Sequence, residues 1–149
     1  MLIIDHLIDS LPAAALEGKE MDILALTWQQ RRWPRGKLTT RNSREIALAL
    51  PTGTILQPGV PLWVESNWYL TVVASPEPVL AIEPADWATA VRAAFEIGNR
   101  HFPLVIEGSA LLVPDDPAMV HLFERMGIPF TGRSAPFNPQ GVGHSHATA

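Results

Sequence analysis

Residues 86–108 read DWATAVRAAFEIGNRHFPLVIEG, a helical pattern that stops at His101 and passes at once into an apolar strand pattern. Trp87, Val91, Phe95 and Gly98 recur at spacings of three and four, with Ala88 and Ala94 beside them, which predicts a helix with one apolar stripe. Asp86 stands at its start, where a carboxylate accepts free amides and suits the positive helix end. At the other end Asn99 suits a left-handed cap, and Arg100 suits the negative end. PLVIEG (103–108) then reads as a strand, so a histidine marks the junction of two regular elements.

Working outward, EPVLAIEP (77–84) reads as a strand before this helix, and ALLVP (110–114) as a strand after it, turned through Gly108 and Ser109. DDPAMVHLFERMG (115–127) is a second helix: Asp115 or Asp116 caps it, Pro117 sits in its first turn and Gly127 ends it. IPFTGRS (128–134) is a last strand. The order βαββαβ predicts a ferredoxin-like arrangement, with two helices covering one face of a four-stranded antiparallel sheet.

The first half has a different texture. LIIDHLI, DILALTW, KLTT, REIALALP and the pair PLWV and WYLTVVA all read as short strands, with Ile46, Leu48 and Leu50 on one face. ESN (65–67) reads as a hairpin tip. The fold class is therefore α+β: a small N-terminal β domain over 1–75, a ferredoxin-like domain over 76–135, and a Gly- and Pro-rich tail over 136–149.

Composition narrows the functions. The chain has 149 residues, 47% of them apolar, enough for buried cores. A net charge of −4 argues against nucleic acid. With no cysteine, thiolate metal sites and disulfides are excluded, and a metal must use imidazole, carboxylate or backbone oxygen. MLIIDHLIDSLPAAALEGKE lacks a basic leader and is interrupted by Asp5 and Asp9, a poor signal peptide. No stretch approaches the ~20 apolar residues of a membrane span. The expected location is the cytoplasm, with no membrane partner.

Five histidines are the candidates for chemistry. His6 falls in the first strand and reads as structural. His121 falls on the second helix opposite Met119, Leu122, Phe123 and Met126, and should face solvent. His144 and His146 sit two apart in the tail, where a mobile segment can fold both onto one ion. His101 either merely caps its helix or binds a ligand. One imidazole makes no site, but a two-fold axis sets the same residue from two chains side by side, and tail histidines can add to the shell. Imidazole suits Ni(II), Zn(II) and Cu(II).

Elsewhere the readings are plain. The five tryptophans read as core and domain-interface filler, though Trp28, Trp33, Trp63 and Trp68 of the β half can alternatively line its surface for a protein partner. Arg31, Arg32, Arg35 and Lys37 read as a solvated basic face that can alternatively dock an acidic partner. Asp115 and Asp116 read as helix caps rather than a metal pair.

The residues resemble the UreE family of urease accessory proteins over nearly the whole length. DILALTWQQRRWPRGKLTT (22–40) is similar to the family's LTW-x-x-R segment, and REIALALPTGTILQPGVPL (44–62) to its E-x-x-L-x-L-P-x-G stretch. SPEPVLAI (75–82), DDPAMVHLFERMGIPF (115–130) and APFNPQGVGHSH (135–146) also resemble it, and GNRH (98–101) is the most specific mark. The resemblance implies a peptide-binding-like N-terminal domain, a ferredoxin-like metal-binding domain, and a homodimer joined through the latter. It implies Ni(II) as cargo between the two copies of His101, with His144 and His146 adding ligands. It implies delivery to the urease maturation complex, including the GTPase UreG and apo-urease. Ser43 stands where the family commonly has Gly, and Val60 where it has Asp. Histidines that some members carry near Val113 to Asp116 are missing.

The expected function is a nickel metallochaperone, not an enzyme: no GxSxG elbow, Walker loop or nucleophile–base pair is evident. Two alternatives stand beside it. A metal-free peptide-binding adaptor would need no His101. A metalloenzyme on a ferredoxin-like domain would need an open metal position and a nearby base, and neither Glu96 nor Glu107 is well placed for that.

Overall fold

A computed structural model describes residues 1–139. The chain divides into two compact units, Met1–Ser75 and Pro76–Ala149.

The first unit holds six strands: β1 (Leu2–Ile4), β2 (Glu20–Leu26), β3 (Arg35–Thr39), β4 (Glu45–Ala49), β5 (Pro61–Val64) and β6 (Trp68–Ala74). They form two three-stranded sheets, ordered β1-β4-β3 and β2-β6-β5. Pairs adjacent in sequence, β3–β4 and β5–β6, are antiparallel hairpins, and 65–67 is indeed the link in the second. The remaining pairs, β1–β4 and β2–β6, are parallel, a long-range feature that strand texture does not carry. Alternation directs Ile46 and Leu48 of one sheet, and Leu24, Leu26, Leu70 and Val72 of the other, into one shared core.

Beside that core lies one buried carboxylate. Asp22 is fully buried at the second position of β2 beyond Glu20. It accepts hydrogen bonds from the amides of Ile23 (2.8 Å) and Asn42 (3.0 Å), the Thr40 hydroxyl (2.5 Å) and Arg44 Nη1 (2.8 Å). The last three come from the β3–β4 turn, so Asp22 ties one sheet to the hairpin of the other. Ser43 in that turn has φ 66°, the left-handed backbone that favours glycine, which explains why relatives are expected to carry Gly there.

Three expectations need correction. β1 ends at Ile4, so His6 lies beyond it, exposed, with Nδ1 2.7 Å from Asp5 Oδ1. Arg31 is not part of a solvated face: it is 2% exposed, and Nη1 donates to the Leu26 carbonyl at 2.8 Å. It lies in a 3-10 turn (Gln30–Arg32) that folds the side chain inward. Nor are all tryptophans filler: Trp33 and Trp87 are 57% and 81% exposed.

The second unit runs β7 (Pro76–Ile82), α1 (Trp87–Asn99), β8 (Val105–Glu107), β9 (Ala110–Pro114), α2 (Pro117–Met126) and β10 (Phe130–Pro136). Its four strands lie in the order β10-β7-β9-β8, every neighbour antiparallel. Leu80 and Ile82 of β7, and Leu111 and Val113 of β9, pack with Ala93 and Ile97 of α1 and Met119, Leu122 and Phe123 of α2. Asp86 caps α1 through the Thr89 amide (2.7 Å), and Asp116 caps α2 through the Ala118 amide (2.8 Å). Phe137, inside the expected tail, is fully buried.

The stripe read from α1 is not its core face. Trp87, Val91 and Phe95 are 81%, 45% and 68% exposed, while Ala93 and Ile97 are fully buried. At ~100° per residue these sets lie on nearly opposite sides of the helix. Ala93 and Ile97 join the core cluster, and the bulky residues are left facing out. No helix among the described residues is long and apolar enough to cross a membrane.

Candidate metal centre

His101 lies two residues past the end of α1, after the C-cap Arg100, and its backbone explains its position. Its amide donates to the Gly98 carbonyl (2.9 Å) and the Phe102 amide to the Ile97 carbonyl (3.2 Å). That pair of bonds is the Schellman motif, which closes a helix only if the residue between is left-handed. His101 is that residue, with φ 62°. Asn99, expected to take this conformation, is still helical. The motif's apolar contact is present too, since Ile97 is buried in the core and Phe102 packs against it.

The second helix provides an internal comparison. There the Gly127 amide donates to Glu124 (3.1 Å) and the Ile128 amide to Phe123 (2.9 Å), the same motif, with Gly127 at φ 68°. One chain thus ends two helices alike, once with glycine, which takes φ > 0 freely, and once with a histidine that does not. Among described non-glycine residues only Ser43 and His101 have positive φ.

The surroundings fix the imidazole's base and leave the ring accessible. Arg100 Nη1 bonds the Glu96 carbonyl (3.0 Å) and Glu96 Oε1 (3.1 Å), bracing the last turn. His101 itself is exposed. On the same helix the apolar stripe of Trp87, Val91 and Phe95 stands out of the unit. Val91 and Phe95 border a shallow depression closed by Arg125 and Met126 of α2.

Among the described residues of one chain, no group of three or more His, Cys, Asp or Glu able to hold a metal occurs, at His101 or elsewhere. His121 is exposed, its Nδ1 3.9 Å from Glu124 Oε1. His144 and His146 lie outside the described residues. Asp116 is engaged as a cap. At this helix end the described residues therefore offer an exposed imidazole held on a Schellman-closed backbone.

The chain's relatives can now be set beside this geometry. The model of the UreE urease accessory protein N-terminal domain matches residues 4–75, and that of its C-terminal domain matches residues 77–149. The urease accessory protein UreE of Paraburkholderia xenovorans (strain LB400) is 35% identical over 98% of this chain and 67% of its own length. That of Deinococcus radiodurans is 35% identical over 85% of this chain and 81% of its own. That of Ralstonia nicotianae is 34% identical over 98% and 72%. The likeness read from GNRH and its neighbouring segments therefore extends through both units, and the chain belongs to the UreE family, urease accessory proteins rather than enzymes.

Proposed function

We propose that this protein is a nickel metallochaperone of urease maturation, working as a homodimer that shares one Ni(II) between the two copies of His101. The observation that carries this is the histidine in a glycine's place: a left-handed C-terminal position filled by a residue that fits it poorly, with its ring left free. Strain kept where glycine would relieve it points to use of the side chain. A lone imidazole binds too weakly to carry nickel, and a second chain supplies a second copy of it. The exposed stripe Trp87, Val91 and Phe95, on the helix that ends in His101, is the natural surface for that second chain.

Residues 76–135 are read as a ferredoxin-like metal-binding domain, supported by the strand order and antiparallel pairing above. Residues 1–75 are read as a peptide-binding-like β domain, and 136–149 as a tail whose His144 and His146 complete the shell. Such a shell, partly built from a tail, exchanges its ion, which suits hand-over to the maturation complex with the UreG GTPase and apo-urease in the cytoplasm. Zn(II) and Cu(II) fit the same ligands in vitro.

Calorimetric titration with nickel, alongside solution mass, tests the reading on the intact chain and on His101→Ala. One nickel per two chains, lost in the variant, is expected. Tight binding that survives the substitution would move the site elsewhere, and no binding in either protein would favour the metal-free adaptor.

The dimer surface has its own test. Phe95 lies outside the core, so Phe95→Glu should leave the fold intact by circular dichroism. It should shift the solution mass to the monomer and weaken nickel binding by at least about tenfold, because the second imidazole is no longer held nearby. A dimer that persists with full nickel affinity would show that the copies meet elsewhere.

A further inference from the structure

We propose that the free edge of β3 is a docking site for an extended acidic segment of a partner protein, which joins the β1-β4-β3 sheet as a fourth strand. The inference rests on the peptide-binding-like reading of residues 1–75, which it deepens, and does not depend on nickel.

Residues 31–44 hold Arg31, Arg32, Arg35, Lys37, Arg41 and Arg44 and no carboxylate. The structure sorts them. Arg31 is buried on the Leu26 carbonyl, Arg32 stacks over the Trp28 ring at 5.2 Å, and Arg44 lies over Trp68 at 3.9 Å while pairing with Asp22. Arg35 and Lys37 are exposed and reach none of these partners.

Both stand on β3, the terminal strand of its sheet. The phase of its ladder is set at both ends: the Leu50 amide donates to Pro34 and the Thr40 amide to Arg44, each at 2.9 Å. In an antiparallel pair, bonded positions recur every second residue. Residues 34, 36, 38 and 40 therefore turn their main chain toward β4. Arg35, Lys37 and Thr39 turn theirs to the open edge.

The side chains at those positions share the outer face, because Leu38 between them packs on the core. Across the sheet from Lys37 and Arg35 lie Ala47 and Ala49. They are small, so the face beside the two cations is flat and apolar. Trp33, two residues before β3, is 57% exposed, and Glu45 lies opposite Thr39.

An open row of alternating N–H and C=O groups is complementary to another strand. Cations along such an edge repel neutral or basic strands, which guards against indiscriminate pairing, and they select acidic ones. A segment with carboxylates at alternate positions presents them to Arg35 and Lys37 in register. A nucleic acid lacks the alternating donors and acceptors that the edge would satisfy.

The test uses the full chain with a short peptide of alternating glutamate and threonine. A lysine–threonine peptide and a single-stranded oligonucleotide serve as comparisons. Residue-resolved amide exchange should show new protection at Lys37 and Thr39, and none added at Gly36 and Leu38, which β4 already protects. Arg35→Glu with Lys37→Glu, both exposed substitutions, should weaken the acidic peptide at least about tenfold. Thr39→Pro, which deletes one outward amide without touching the ladder to β4, should weaken it while leaving both charges in place. Absence of protection at Lys37 and Thr39 would overturn the proposal. So would undiminished binding to the charge-reversed chain. Oligonucleotide binding as tight as the acidic peptide's would replace the strand with a phosphate backbone as the occupant.

Discussion

Replacing His101 by glycine should make the protein more stable and leave it unable to share nickel. The left-handed backbone costs an L-residue roughly 1–2 kcal/mol relative to glycine. Part of that gain is lost because glycine gives up more freedom on folding, so a net stabilisation of about 1 kcal/mol is expected. His101→Ala keeps the strain and should be no more stable than the native chain. Both variants lose the imidazole, so both should lose the shared nickel. The diagnostic is opposite stability with equal loss of binding. Denaturant melts of the metal-free proteins at one fixed concentration give the first number, because bound metal and dimerisation would each add apparent stability. Nickel titration gives the second. If the glycine variant were less stable, the ring would be making structural contacts, and the strain would need no functional explanation. If it still bound nickel as the native chain does, His101 would not be a ligand.

How far the residues alone reveal this site can be judged at the ends of α1. Its start was legible because a capping aspartate acts locally: Asp86 and Asp116 each bond an amide within three residues. The end of α2 was legible because Gly127 advertises φ > 0. The end of α1 was not, since Asn99 is the better left-handed residue by local preference and the chain instead continues to His101. The deciding contact is Phe102 against the core, which draws the Schellman closure to His101. The buried face of α1 was misread for a related reason. The helix is apolar on two sides, and periodicity finds the bulkier one. Only the sheet decides that Ala93 and Ile97 go inward, leaving Trp87, Val91 and Phe95 for another surface. The parallel pairs β1–β4 and β2–β6 and the burial of Asp22 and Arg31 depend on distant partners, and no local pattern announces them. His101 itself stood out by placement at a junction, and the UreE-like GNRH segment singled it out.

Asp22→Ala should cost the first unit about 3 kcal/mol, the low end of the range for breaking a buried ion pair by removing one partner, because the Arg44 left behind is itself partly exposed. The argument is local. In the native chain the carboxylate is fully buried and collects four donors, three from the β3–β4 turn. Alanine returns none of those bonds and leaves the Asn42 and Ile23 amides and the Thr40 hydroxyl facing a dry space, each an added desolvation cost. Typical domain stabilities are only ~5–15 kcal/mol, so this loss takes a large fraction of the total. Exchange should therefore accelerate at amides of β2, β3 and β4, while those of α1 and α2, which pack in a separate core, keep their protection. The native chain should show the same weakness to acid. Burial pushes the Asp22 carboxyl up, but the hydrogen bonds from Thr40, Arg44, Asn42 and Ile23 outweigh it and hold the carboxyl below the ordinary carboxylate range. A group whose proton is held more weakly in the folded state stabilises the fold above its unfolded pKa, about 3.9. That stabilisation falls away as pH drops below this toward the lower folded value. The first unit should thus lose stability as the solution is acidified through pH ~4, and the Asp22→Ala chain should lack that component of the pH dependence. A variant that melts within ~1 kcal/mol of the native chain, or that keeps the acid slope, would show that the turn and β2 are held together by their backbone bonds alone, such as Arg41 amide to Ile23 carbonyl at 2.8 Å.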